Sequence, residues 1–273
     1  AKRLFAAART PKQLLALEFT AQLAEMGQLP RAMQVIKSLK ASPKTTGDPA
    51  VASAARVADM EIRAWSMYGM DSGRARAAAD ALLADAAALQ NPAERALALS
   101  RVGAILARHA QLPPEAARAF LTKAVESIKA IPDAQQRQDV TGKWAVAFGE
   151  ALHAEAGTRA KSGQWNKAQQ ANTQLDTLIA QAPDSASQAR LQAVSYQVKL
   201  LLGQQDKAAQ AMDAALSLAS STPGLPERAA TLRAIANLSG AATHDKLQAA
   251  AAALQTQAMA KSGTERARAL VQL

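Results

Sequence analysis

Apolar residues recur along this chain at helical spacing, in segments that are separated by short breaks. The segment 184–202 carries two such stripes, one at Leu191, Val194, Val198 and Leu201 and the other at Ala193, Tyr196 and Leu200. A helix that is apolar on two sides must be buried between neighbouring helices. Alternating runs are hard to find and valine and isoleucine are sparse, so the pattern predicts an all-α protein.

The breaks recur at a regular period and divide the chain into units. Thr10-Pro11, Asp48-Pro49 and Asn91-Pro92 each place a good N-cap residue before a proline that suits the first helical turn. A basic residue repeats with the same rhythm inside the units, at Arg56, Arg95, Arg137, Arg190, Arg228 and Arg266. A fixed period of roughly 40 residues is typical of a helical repeat array.

A second break near the middle of each unit, for example at Gly163-Gln164 or Gly203-Gln204, makes each unit a helical hairpin. We expect first helices over 11–26, 49–68, 92–109, 133–162, 184–202, 226–239 and 264–273. Second helices are expected over 29–41, 72–89, 114–131, 164–181, 204–220 and 244–261. The chain is therefore predicted to be a single domain over 1–273, an α-solenoid of about six hairpins, with a weak boundary at 42–48.

Three of the mid-unit turns resemble those of tetratricopeptide (TPR) repeats, at Gly27 to Ala32, Gly163 to Ala168 and Gly203 to Ala208. In that family a small residue closes the first helix, a large residue follows two positions later, and alanine follows three after that. The period here is longer than the family's 34 residues and the Trp-x-x-Leu-Gly signature is missing, so the likeness is to a degenerate form. The resemblance implies a right-handed superhelix whose concave face, lined by first helices, binds a peptide or a partner helix.

The formal net charge of +10 comes from 32 Lys and Arg against 22 Asp and Glu, and the excess is concentrated near the N-terminal end. We take Lys2, Arg3, Arg9 and Lys12 as candidate contacts for an acidic protein, a membrane surface or a nucleic acid. The alternative is that they form a solvated surface. Basic residues elsewhere are dispersed among acidic ones, which argues against nucleic acid. No run of about 18 apolar residues is present, so no membrane span is expected.

Catalytic and metal-binding motifs are sparse in the sequence. The chain has no cysteine, which excludes disulfides, a thiolate nucleophile and thiolate metal sites. Glu150 and His153 form an E-x-x-H pair on one helical face, but a di-iron site needs a second such pair and two further carboxylates. No Gly-x-Ser-x-Gly elbow, Walker A loop or dinucleotide fingerprint occurs. We therefore predict a non-enzyme without cofactor or metal.

The candidate partner-binding residues are side chains of the first helices, and the set consists of Trp65, Tyr68, Trp144, His153 and Tyr196. The alternative for the aromatic residues is that they fill the core between helices. The predicted function is a protein- or peptide-binding scaffold within a larger assembly. Two alternatives stay open, a helical accessory domain of an enzyme whose catalytic part is absent and an RNA-binding helical repeat. The missing cysteines and initiating methionine favour an exported, periplasmic protein, although both also fit a cytoplasmic fragment. The alanine-rich composition is the reason for expecting a bacterial protein.

Overall fold

A computed structural model describes residues 12–41, 48–109, 111–238 and 244–260. These residues form twelve α-helices and no strand, which confirms the all-α prediction. In chain order the helices are α1 Lys12–Glu25, α2 Leu29–Lys40, α3 Pro49–Trp65, α4 Ser72–Ala87, α5 Pro92–Ala107, α6 Pro114–Lys129, α7 Ala134–Lys161, α8 Trp165–Gln181, α9 Ser185–Leu201, α10 Gln205–Ser221, α11 Leu225–Leu238 and α12 His244–Met259. The predicted final helix at 264–273 lies outside the described residues.

The described helices form two compact units, which divide between Ala151 and Leu152. The first unit contains α1 to α6 and the N-terminal part of α7, and the second contains the rest of α7 and α8 to α12. This division falls inside a continuous helix of 28 residues and not at the boundary expected at 42–48. Of that predicted boundary only Asp48 is described, so the single-domain interpretation stays a prediction.

Within each unit several helices contact both the next helix in the chain and the one after it. In the first unit, α1 packs against α2 and α3, α3 packs against α5, and α4 packs against α6. In the second unit, α9 packs against α8, α10 and α11, and α10 packs against α12. First helices therefore lie against one another in the pairs α1–α3, α3–α5 and α9–α11, and second helices do so in the pairs α4–α6 and α10–α12.

The three turns singled out in the sequence share one backbone geometry. Gly163 has a φ of 73°, its N–H donates to the Ala160 carbonyl, and the next N–H, of Gln164, donates to the Arg159 carbonyl. This is the Schellman ending, whose left-handed residue is most often glycine because it lacks a Cβ. Gly27 and Gly203, with φ of 76° and 74°, repeat the same bonds. The alanines that follow each turn, Ala32, Ala168 and Ala208, are fully buried.

Three of the six periodic basic residues bridge the joints between hairpins. Arg95, Arg137 and Arg228 each donate a guanidinium N–H to a carbonyl six residues earlier, at 2.9, 2.9 and 2.6 Å. Those carbonyls lie at or just past the end of the preceding helix, where they have no intrahelical partner. Gln188 makes the equivalent bond to Ala182 at 3.1 Å. The repeated side chains thus have a structural role at these joints.

Candidate functional site

Ion pairs whose carboxylates are buried join α3 to α5 along their length. Arg56 binds Glu94 through both Nε and Nη2, the second contact at 2.8 Å, and Arg101 binds Glu61 at 2.7 Å. The side chains of the two arginines are half exposed, whereas those of Glu94 and Glu61 are only 4% and 7% exposed. Hydrogen bonding to Glu94 raises the pKa of Arg56, against the effect of burial. These pairs fix how the two helices lie against each other.

An aromatic cluster lies at the C-terminal ends of α3 and α5. The ring centroid of Tyr68 is 5.5 Å from that of Trp65, with the two planes 20° apart, and 4.0 Å from that of His109. The Tyr68 hydroxyl donates to the backbone carbonyl of Arg108 at 3.2 Å. It therefore provides a partner for a carbonyl at a helix end, where intrahelical partners run out.

The Arg108 side chain links three helices around this cluster. Its guanidinium donates to Glu25, the last residue of α1, at 3.2 Å and to Glu150 of α7 at 2.9 Å. It also lies 5.8 Å from the ring centroid of Trp65, within the range of a cation–π contact. Burial acts to lower the pKa of Arg108, but Glu150 and Glu25 outweigh it and the pKa is raised. Arg108 is therefore a fixed cation.

His109 is the buried member of the aromatic cluster, at 2% exposure. Neither of its ring nitrogens has a hydrogen-bond partner. Burial lowers the pKa of His109, and the Ala64 carbonyl acts in the opposite direction. That carbonyl faces the ring but does not complete a hydrogen bond with either nitrogen. The ring is consequently held in its neutral form near pH 7.

Tyr68 is the exposed member, with 46% of its surface accessible. Burial of the remainder raises the pKa of the Tyr68 hydroxyl, and the positive charge of Arg108 acts to lower it. Two further large apolar side chains are exposed nearby in the chain, Phe19 on α1 and Met26 directly after Glu25, the last residue of α1, which binds Arg108. We call Phe19, Met26, Tyr68 and the half-buried Trp65 the aromatic surface.

The structure distributes the other predicted site residues among different roles. The half-buried Trp144 donates its Nε1–H to the Leu121 carbonyl at 3.1 Å and stacks on Phe148, so it ties α7 to α6. Tyr196 is only 5% exposed and lies in the core of the second unit. It therefore packs between helices, which was the alternative to a partner contact. His153 is partly exposed on α7. Lys2, Arg3 and Arg9 lie outside the described residues, as does the side chain of Lys12.

The E-x-x-H motif is used differently from a metal site, because Glu150 accepts a hydrogen bond from Arg108. Within the part of the chain that the structure describes, no three His, Asp or Glu side chains are grouped so that they could hold a metal ion. Among the described helices, none combines the length and apolar character that crossing a bilayer requires.

One catalytic-looking pair was missed by the sequence reasoning. Ser195 and Lys199 lie four residues apart on α9, and the Lys199 ammonium donates to the Ser195 hydroxyl and to Asp176 of α8, the latter at 2.8 Å. A serine nucleophile activated by lysine needs a neutral amine and an accessible hydroxyl. Here the ammonium is paired with a carboxylate and Ser195 is fully buried. The pair is therefore a structural contact between α8 and α9.

A comparison of the chain with family models, curated proteins and solved structures finds no match. The functional proposal consequently depends on the side chains of this chain alone.

Proposed function

We propose that the chain is a non-catalytic scaffold that binds a protein or peptide, built as a solenoid of helical hairpins resembling TPR repeats. The contacts of several helices with their next two neighbours support this arrangement, because solenoid repeats contact mainly adjacent repeats. The shared geometry of the turns at Gly27, Gly163 and Gly203 supports it independently. The resemblance would make the array a right-handed superhelix.

The observation that carries the binding role is the fixed orientation of Tyr68. An exposed side chain that a partner immobilises costs roughly 0.5–1.5 kcal/mol of binding free energy in lost rotamer freedom. Tyr68 has lost much of that freedom already, because its ring contacts Trp65 and His109 and its hydroxyl binds the Arg108 carbonyl. A pre-ordered and exposed tyrosine is therefore a low-cost anchor, and tyrosine is enriched among residues that dominate binding energy.

The rest of the aromatic surface indicates the chemistry of the partner. Phe19 lies on α1 and Met26 directly follows its last residue, and both side chains are exposed. Methionine adapts its shape to irregular apolar surfaces. We therefore propose a partner segment that presents apolar or aromatic side chains, with Tyr68 as its central contact.

The test is a selection of random displayed peptides on the immobilised chain, followed by affinity measurement by fluorescence anisotropy. Tyr68→Ala should weaken the selected peptides by about tenfold or more, as expected for the loss of an anchor. The matched control is Trp165→Ala, which removes an equally exposed aromatic residue at the start of α8, in the second unit. It should change the affinity by no more than roughly twofold.

The proposal is contradicted if no peptide is enriched over the bare matrix. It is equally contradicted if the enriched peptides bind Tyr68→Ala as tightly as the unchanged chain. Circular dichroism of both variants shows whether each has kept its helical structure before its affinity is interpreted.

A further inference from the structure

The contact between His109 and Tyr68 joins the C-terminal ends of α3 and α5 through an imidazole without hydrogen bonds. A buried polar ring ordinarily finds a partner, because an unpaired donor or acceptor is costly away from water. His109 instead lies against the Tyr68 ring, and its two nitrogens are both buried and unpartnered. This arrangement tolerates a neutral imidazole much better than a charged one.

Among the residues that the structure describes, the polar and charged groups near His109 offer little compensation for an added proton. From α3 and the turn after it, the ring meets Tyr68 and the Ala64 carbonyl. From its own segment, the neighbouring residue is the fixed cation Arg108. The carboxylates of Glu25 from α1 and Glu150 from α7 are both engaged by Arg108. The carbonyl end of α5 favours a cation, but Arg108 already supplies one there.

We propose that His109 is a pH-sensitive switch, which holds Tyr68 in place while its ring is neutral and releases it when the ring is protonated. An imidazolium carries two N–H donors, and the acceptor that the described residues place beside the ring is the Ala64 carbonyl. To be solvated, the charged ring has to leave its place against Tyr68, and the joint between the ends of α3 and α5 opens. Tyr68 then loses one of the ring contacts that keep it ordered.

The direction of the pH dependence follows from linkage. The unfolded chain protonates near the ordinary histidine value of about 6.5, whereas the folded chain protonates below it. The stabilisation by the neutral ring is therefore fully present above the pKa of the unfolded chain, and it declines as the pH falls towards the lower pKa of the folded chain. One proton changes the unfolding equilibrium constant by at most about tenfold per pH unit. The effect on partner binding has the same sign and rests on the function proposed above.

The first experiment follows urea unfolding between about pH 7.5 and 5.5, in the range where histidine titrates. The unchanged chain is compared with His109→Phe, which keeps a ring against Tyr68 without a titratable group. As the pH is lowered over this range, the equilibrium constant for unfolding should rise several-fold more for the unchanged chain than for His109→Phe. His153→Gln is the matched control at the partly exposed histidine and should retain the pH dependence of the unchanged chain. Parallel profiles for the unchanged chain and His109→Phe overturn the proposal.

The second experiment needs no substitution and remains decisive if His109→Phe does not fold. Hydrogen exchange, corrected for the intrinsic effect of pH, is measured over 64–70 and 106–112. Protection there should fall between the two pH values more than in the turn at Gly203, in the second unit. Equal loss in both places overturns the proposal, since the opening would not be local.

Binding of a selected peptide separates this switch from the proposed function. Weaker binding to the unchanged chain at pH 5.5 than at pH 7.5, with no such loss in His109→Phe, supports the link between the switch and the aromatic surface. Equal binding at both pH values contradicts that link. If no peptide binds at either pH, the proposed function fails, while unfolding and exchange still decide whether His109 is the switch.

Discussion

Replacing Arg56 by methionine tests whether the buried carboxylates between α3 and α5 depend on their arginines. Arg56→Met keeps an apolar stem but leaves Glu94, whose side chain is only 4% exposed, without its bidentate partner. Breaking a fully buried pair costs roughly 3–5 kcal/mol, because a charge remains buried and uncompensated. Arg56 is itself half exposed, and Glu94 lies in the first turn of α5, where the helix dipole favours a negative charge. We therefore expect a smaller loss, of about 2 kcal/mol of unfolding free energy.

The assay is urea unfolding followed by far-ultraviolet circular dichroism, with the denaturant slopes compared to check that both variants unfold as the unchanged chain does. The matched control is Arg63→Met, on the same helix, because Arg63 pairs with Asp85 and both of these side chains, including the carboxylate, are about half exposed. Exposed pairs contribute about 0–1 kcal/mol. If both variants lose the same free energy within about 0.5 kcal/mol, burial of the carboxylate is not what makes the Arg56 pair important. The double variant Arg56→Met, Glu94→Met should recover much of the loss, since no buried charge is left unpaired.

Two further stability predictions follow. Gly203→Ala should destabilise the second unit by about 1 kcal/mol, because φ is 74° there. Gly157→Ala, inside α7 with open space around an added Cβ, should be neutral or stabilising. Thermal unfolding of both variants checks this, and equal shifts of their unfolding temperatures contradict it. Trp144→Phe should cost about 1 kcal/mol through loss of the hydrogen bond to Leu121, as measured by urea unfolding, and an unchanged stability would show that the bond contributes nothing.

Features that depend on a few neighbouring residues were predictable from the sequence. Asn91 before Pro92 indicated a helix start, and the Asn91 side chain does accept from the N–H groups of Ala93 and Glu94. The glycine turns at Gly27, Gly163 and Gly203 were likewise readable, because a left-handed residue at a helix end is usually glycine. The ranges expected from the sequence agree with all twelve described helices to within a few residues at each end.

The sequence pattern did not reveal whether an aromatic residue in the first helix of a hairpin faces the core or the solvent. Tyr68 and Tyr196 both lie among apolar residues at helical spacing, yet Tyr68 is about half exposed and Tyr196 is buried. Tyr68 follows the end of α3, whereas Tyr196 lies within α9, which packs against α8, α10 and α11. The difference comes from how many helices surround the residue, and that depends on contacts distant in the sequence.

The repeat period does, however, predict contacts once successive first helices are known to lie side by side. Residues about one period apart then occupy adjacent positions on neighbouring helices, and polar pairs form at this offset. Arg56 and Glu94 are 38 residues apart, Glu61 and Arg101 are 40 apart, Tyr68 and Arg108 are 40 apart, and Arg108 and Glu150 are 42 apart. Applied to Trp65 and Tyr68, an offset of about 40 residues leads directly to the segment containing Arg108 and His109. The contacts of Tyr68 with the segment of Arg108 and His109 could therefore be predicted from the period, whereas the burial of His109, on which the proposed switch depends, follows only from the packed helices.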